Sequence, residues 1–130
     1  MNIREYREED FNEIHLMNDA EGWSNLVARG ADTKTAWANS TIAYVAEENG
    51  EIIGCVWGFT DTKITTYICE LIIQQNFRGK GIGTKLLRHV HSLYPETRME
   101  LLASSTSKTY YEQLNFRPFY GYRKTFEEWS

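Results

Sequence analysis

One stretch, residues 70–93, limits the folds open to this chain more than any other. Leu71-Ile72-Ile73 lies in an apolar, β-favouring run, and Ile82, Leu86, Leu87, Val90 and Leu93 recur on one helical face. Between them stands Arg78-Gly79-Lys80-Gly81-Ile82-Gly83-Thr84. A strand that runs through alternate glycines straight into an amphipathic helix belongs to a sheet covered by helices, because each element has an apolar side to bury. Glycine allows the tight turn and lets a ligand come close to the main chain without a Cβ clash. The first turn of the helix then offers unpaired N–H groups and the positive end of its dipole. Arg78 and Lys80 add positive charge. A diphosphate is the natural ligand for such a segment.

The other elements are read outward from this unit. Residues 3–6 form a short strand and residues 8–18 a helix, with Phe11, Ile14 and Leu16 apolar and acidic residues in its first turn. Residues 21–40, which carry Trp23, Leu26, Val27 and Trp37, read as short helices. Strands follow at 41–47 and 51–59, joined by Asn49-Gly50, a strong hairpin signal. Asp61-Thr62-Lys63 makes a second turn, and 64–74 is the next strand. Further on, 98–103 reads as a strand, 106–114 as a short helix, and 116–119 and 122–126 as two closing strands. The expectation is a mixed α/β or α+β sheet covered by helices.

Length and charge narrow the class. A chain of 130 residues suits one domain, 1–130. Its 14 basic and 18 acidic residues give a net charge of −4, which argues against a nucleic-acid partner. Neither a signal-type apolar segment nor a run of membrane-spanning length stands out, so no membrane partner and a cytoplasmic location are expected. Cys55 and Cys69 are too few for a disulfide framework and lie in apolar stretches, where buried reduced thiols are expected. No Cys/His spacing suggests a metal site.

The glycine spacing separates the possible diphosphate binders. A P-loop needs Gly-x-x-x-x-Gly-Lys-Ser/Thr, which is absent, and a dinucleotide fingerprint needs Gly-x-Gly-x-x-Gly in the first βαβ unit. Arg78-Gly79-Lys80-Gly81-Ile82-Gly83 instead resembles the Gln/Arg-x-x-Gly-x-Gly/Ala signature of the GNAT superfamily of N-acetyltransferases. The apolar strand before it and Thr84-Lys85-Leu86-Leu87 after it are similar to the family's pattern. Tyr110-Tyr111-Glu112-Gln113-Leu114-Asn115-Phe116 resembles the family's F-Y-E-K-L-G-F segment, with Asn115 in the glycine's place. Asparagine tolerates the left-handed conformation of a helix C-terminus better than most residues. The likeness is specific over about residues 64–120; before that only the element order agrees. It implies a mostly antiparallel twisted sheet of about six or seven strands with about four flanking helices.

The resemblance also implies roles. Main-chain N–H groups of Arg78, Gly79, Lys80, Gly81, Ile82, Gly83 and Thr84 would cradle the pyrophosphate of acetyl-CoA, taken as co-substrate with no metal. The strand edge at Leu71, Ile72 and Ile73 would pair with the pantetheine arm, and a β-bulge would aim an N–H, with Ile73 as candidate, at the thioester carbonyl. Ser104 stands where the family often has a CoA-contacting asparagine. Tyr111 aligns with a tyrosine near the CoA sulfur and would protonate the leaving thiolate, while Tyr110 reads as packing. Glu70 lies in a strand apolar on both faces, with Ile68 and Ile72 on its side if the pleat is regular. A carboxylate there is costly unless paired or solvated, and burial would make it a better base. It is the candidate for deprotonating the amine, and an ion pair to a neighbouring strand is the competing reading. Trp23 is a candidate for the acceptor pocket beside Glu70; Trp57 reads as packing, and His15, His89 and His91 as surface or supporting residues.

The implied activity is transfer of an acetyl group to a primary amine, a small molecule or peptide, by direct attack in a ternary complex. No cysteine is placed by the resemblance for a covalent acetyl intermediate. The alternative is a non-catalytic acyl-CoA-binding or regulatory module on the same fold, because fold alone does not establish chemistry. A nucleotide-binding protein is a more distant third. The closing strands could pair between subunits, which allows a homodimer.

Overall fold

The computed structural model describes residues 1–129. Five strands, β1 (Asn2–Glu5), β2 (Ile42–Glu48), β3 (Glu51–Thr60), β4 (Thr65–Ile73) and β5 (Arg98–Leu101), form one sheet in the order β1-β2-β3-β4-β5. The β1/β2, β2/β3 and β3/β4 pairs are antiparallel. The helices are α1 (Phe11–Ala20), α2 (Ser24–Ala28), α3 (Gly30–Asn39), α4 (Ile82–Leu93) and α5 (Lys108–Gln113). Residues 8–10, expected to open the first helix, form a 3-10 turn instead. Among the described residues no helix is long and apolar enough to cross a membrane.

Two local rules set the strand connections. Asn49 and Gly50 both have positive φ, 51° and 79°, the requirement of the type I′ turn whose twist suits a two-residue hairpin. At the next turn the Asp61 carboxylate accepts hydrogen bonds from the N–H groups of Lys63, Ile64 and Thr65 at 2.7–3.0 Å. These bonds let Thr62 take a φ of 71°.

The strands divide their side chains between two layers. Val45, Cys55 and Ile72 stand opposite one another across β2, β3 and β4, in the buried cluster that holds Phe11, Ile14 and Met17 of α1 and Trp37 of α3. Tyr44, Val56 and Leu71 form a row on the other face, where Tyr44 meets His89 of α4 edge-on, ring centroids 4.8 Å apart. Ile82, Leu86, Leu87 and Val90 of α4 are buried. Where β1 leads into α1, Arg4 grips both oxygens of buried Asp10 at 2.9 Å and reaches Glu47 at 3.0 Å.

The chain packs as two compact units, Met1–Glu100 and from Leu101 onward. In the second unit α5 ends as its sequence suggests: Asn115 takes a φ of 69° and the Phe116 N–H donates to the Tyr111 carbonyl at 3.1 Å. The two closing strands expected at 116–119 and 122–126 are not present, so the sheet has five strands rather than six or seven. Alternating side chains favour a strand only when a neighbouring ladder takes up the main-chain N–H and C=O groups and something covers the apolar face. Here Phe119, Tyr120 and Tyr122 are 80%, 96% and 93% exposed, and Pro118 has no N–H to give to a ladder. A 3-10 turn at Phe126–Trp129 follows.

Candidate functional site

The glycine loop is held from below by an exchange of volume between β3 and β4. A Cβ on Gly54 would lie 2.7 Å from Cδ1 of Ile73 and 3.4 Å from Cγ2 of Ile82. The bare glycine therefore lets the last residue of β4 and the first of α4 share one spot. From that seat the chain passes a 3-10 turn, Gln75–Phe77, into Arg78. Gly79 and Gly81 are both left-handed, φ 77° and 78°, and apart from their chain neighbours no atom lies within 4 Å of where their Cβ atoms would be. Gly81 is the N-cap of α4, and its carbonyl accepts from the Lys85 N–H at 3.1 Å. The two left-handed glycines flank Lys80 beside the positive end of a twelve-residue helix. Main chain of this kind can offer N–H groups to an anion.

The two loop cations differ. Arg78 is committed to protein: its Nε donates to the Ile73 carbonyl at 3.0 Å and its guanidinium pairs with Glu21. Lys80 lies over the Phe77 ring, 5.2 Å from the centroid, on an exposed stretch. A groove of about 390 Å³ lies between α1 and the end of β4, lined by Glu13, Met17, Glu21, Ile73 and Gln75 among others. Its carboxylates are occupied, Glu13 by the Ile52 N–H at 3.1 Å and Glu51 by Gln74 at 3.2 Å. A larger groove, about 640 Å³, is lined by β1, α3 and β2 residues, none of them from the loop.

Residues 39–118, more than half of the chain and including this loop, match the family model of the acetyltransferase (GNAT) domain. The chain belongs to the GNAT acetyltransferase family. Solved structures agree in fold. A GNAT-family acetyltransferase from Streptococcus pneumoniae superposes with a TM-score of 0.74 at 19% identity, covering 89% of this chain and 85% of its own. An aminoglycoside acetyltransferase from an uncultured soil metagenomic sample gives 0.73 at 18%, covering 95% and 96%. An aminoglycoside 6′-N-acetyltransferase complexed with coenzyme A gives 0.68 at 15%, covering 78% and 61%. Comparison with curated proteins finds no match.

Within this GNAT domain the β-bulge falls in a different place from the one expected. Trp57 faces Glu70 but Gly58 faces Ile68, so Cys69 is the extra residue of β4, while Ile73 pairs regularly with Gly54. A bulge resets the alternation of side chains. Glu70 therefore keeps Ile72 on its face but not Ile68, which opposes Gly58 on the other one. Gly58 is what admits the bulge: a Cβ there would sit 2.1 Å from the Tyr67 carbonyl oxygen. Glu70 itself is half-buried. Burial, and next the nearby Glu70 charge, push the Cys69 thiol up to about 11, so it stays a thiol at neutral pH.

Trp23 follows Glu21 and left-handed Gly22 after α1 and is half-buried against the α1-side core. Trp57 lies 6.2 Å from Trp37, in keeping with a packing role. Ser104 is used locally: its N–H donates to Ser107 Oγ at 2.9 Å and its hydroxyl meets Thr106 Oγ1 at 2.9 Å. Tyr111 is half-buried, edge-on to Tyr110 and Phe116, and burial, then Tyr110, push its phenol up to about 12. Sequence reasoning missed Glu21 and Gly58. Gly58 carried a signal, an isolated glycine within a strand, which marks a bulge or a close backbone approach. Glu21 carried none.

Proposed function

We propose that this protein is an acetyl-CoA-dependent N-acetyltransferase acting on a primary amine, with a single GNAT-type domain spanning the chain. One observation carries the reading: in a GNAT chain, Gly79 and Gly81 are left-handed at the N-terminus of α4, with open space where a Cβ would stand. The main-chain N–H groups of residues 78–84 are assigned to the pyrophosphate, and Leu71, Ile72 and Ile73 to the pantetheine arm. Bound acetyl-CoA supplies an activated thioester, whose acetyl carbon bonds to the amine nitrogen as the carbon–sulfur bond breaks. Polarising the thioester carbonyl needs an N–H aimed at its oxygen, and such a donor is typically worth about 3 kcal/mol. Ile73 keeps that assignment, while the irregularity in the β3/β4 ladder lies at Cys69.

Glu70 takes the amine proton, directly or through water, Trp23 lines the acceptor pocket, and Ser104 touches CoA. Tyr111 serves the sulfur. A phenol near 12 is fully protonated at neutral pH but holds its proton more tightly than a thiol near 8.5, so it acts first as a hydrogen-bond donor to the leaving sulfur. Tyr111→Phe is expected to lower kcat by about ten- to a hundredfold, with CoA affinity nearly unchanged. An unchanged kcat removes Tyr111 from the reaction. A cytoplasmic location completes the reading, and a homodimer is compatible with it.

Release of free CoA thiol from acetyl-CoA, measured against a panel of small amines, polyamines, amino acids, aminoglycosides and peptides, tests the proposal. Amine-dependent release supports it. CoA binding by calorimetry without release across the panel points to a non-catalytic acyl-CoA module, and preferential stabilisation by ATP over CoA to a nucleotide-binding protein.

A further inference from the structure

We propose that Glu21 is a positioning residue for the glycine loop, acting through Arg78, and that Arg78 braces the loop rather than holding phosphate. The inference rests on the loop being the pyrophosphate site. A loop with two left-handed glycines is costly to order, because glycine loses more backbone freedom than any other residue. Its far end is fixed by α4 through the bond from the Lys85 N–H to the Gly81 carbonyl. At its near end the Gln74 N–H closes the ladder on the Ile53 carbonyl at 2.9 Å, and beyond it the main chain carries short turn bonds, Phe77 N–H to Gln74 and Arg78 N–H to Gln75, at 2.9 and 3.3 Å.

The Arg78 side chain adds the long-range tie. Its Nε returns to the Ile73 carbonyl at the end of β4, and its guanidinium reaches Glu21 at the end of α1. One side chain thus joins the strand, the loop entry and a helix from the opposite layer. Glu21 is itself well held, since its N–H donates to the Met17 carbonyl at 3.1 Å and its side chain is only 21% exposed. A guanidinium neutralised by a carboxylate contributes little net charge to an incoming anion, which leaves Lys80 as the loop's electrostatic attractor. Glu21 then acts by preorganisation: the more ordered the cradle, the less binding energy goes into ordering it.

The test compares the full chain with Glu21→Gln, Arg78→Gln and the double variant, using CoA in calorimetry and ¹⁵N relaxation of the Gly79 and Gly81 amides without ligand. Each single change is expected to weaken CoA about tenfold, and the double no more than either, because both break one brace. The order parameters of the two glycines should fall in all three variants, while in Glu21→Gln kcat at saturating acetyl-CoA stays within about twofold. Glu21→Asp should recover part of the affinity.

Tighter or equal CoA binding by Glu21→Gln, with unchanged glycine order, overturns the proposal. So does a loss in Arg78→Gln far larger than in Glu21→Gln, which would make Arg78 a direct phosphate ligand. If a single variant fails to fold, Glu21→Asp decides: a shortened carboxylate must give CoA affinity and glycine order below the wild type, and wild-type values for both overturn the proposal. A wild-type chain that binds no CoA removes the functional reading, whereas the relaxation measurement still judges the brace.

Discussion

Residues 42–73 and residues 116–126 carry similar alternations of apolar and polar side chains, yet only the first set forms strands. In the first, each ladder has a neighbour and both faces are covered: Ile42, Val45, Ile52, Val56 and Ile68 are at most 2% exposed. In the second, the aromatic side chains remain almost wholly exposed, with Phe126 at 88%. The difference shows that alternation supplies a face, whereas a strand needs a partner for its main chain as well. The same contrast governs how the two regions respond to change.

The largest effect is expected where main chain meets main chain. Gly58→Ala should cost about 3 kcal/mol or more in denaturant unfolding, because its Cβ would meet the Tyr67 carbonyl oxygen at 2.1 Å and a backbone ladder cannot give way cheaply. Wild-type stability in this variant would mean that the bulge is not where the register puts it.

Next comes the Arg4–Asp10 pair, with an expected loss of about 2 kcal/mol for Asp10→Asn. Burial alone would raise the Asp10 pKa, but the hydrogen bonds from Arg4 and from the Arg7 N–H outweigh it and hold the carboxyl below its ordinary range. Its stabilisation is complete above the unfolded value near 4 and fades as pH falls through the lower folded one. Thermal melting of the variant between about pH 5 and pH 2 should show a flattened acid limb; an unaltered limb would exclude this pair as its source.

The unit that carries the second region, from Leu101 onward, yields smaller effects. In an alkaline absorbance titration Tyr111 should ionise near 12, and Tyr111→Phe should remove that component. The stability it carries is full below the unfolded value near 10 and disappears as pH rises through about 12. Smallest of all is Gly121→Ala. Its Cβ would also come within 2.1 Å of a neighbour, but that neighbour is the terminal Cδ2 of Leu102, an exposed side chain that can rotate away. A change within about 0.5 kcal/mol is expected. A loss equal to that of Gly58→Ala would show that the region is packed as tightly as the sheet.

What could be read from the sequence was local chemistry. Asn49-Gly50 and the left-handed Asn115 follow from short-range conformational rules and adopt the expected geometry, and Gly79 and Gly81 supply the freedom to turn that was read from the loop. The family followed from the loop with its flanking strand and helix. Features that depend on two distant segments could not be read. The bulge at Cys69 is a property of how β3 and β4 pair, and no residue of β4 announces it. The Glu21–Arg78 pair joins the end of α1 to the entry of the loop, and Glu21 resembles any acidic residue at a helix end. The missing closing strands depend on what lies beside them, which a single strand's pattern does not encode.

The unpaired Cys69 also marks where this sheet can change its length. Removing a residue from the regular part of β4 would turn everything beyond it over, but removing this one leaves Ile68 and Glu70 as chain neighbours, still opposite Gly58 and Trp57. Thr66 and Ile68 would keep the layer they now fill, and Glu70 and Ile72 theirs. A relative one residue shorter at this point can therefore keep both layers, whereas a deletion elsewhere inside β4 would exchange them.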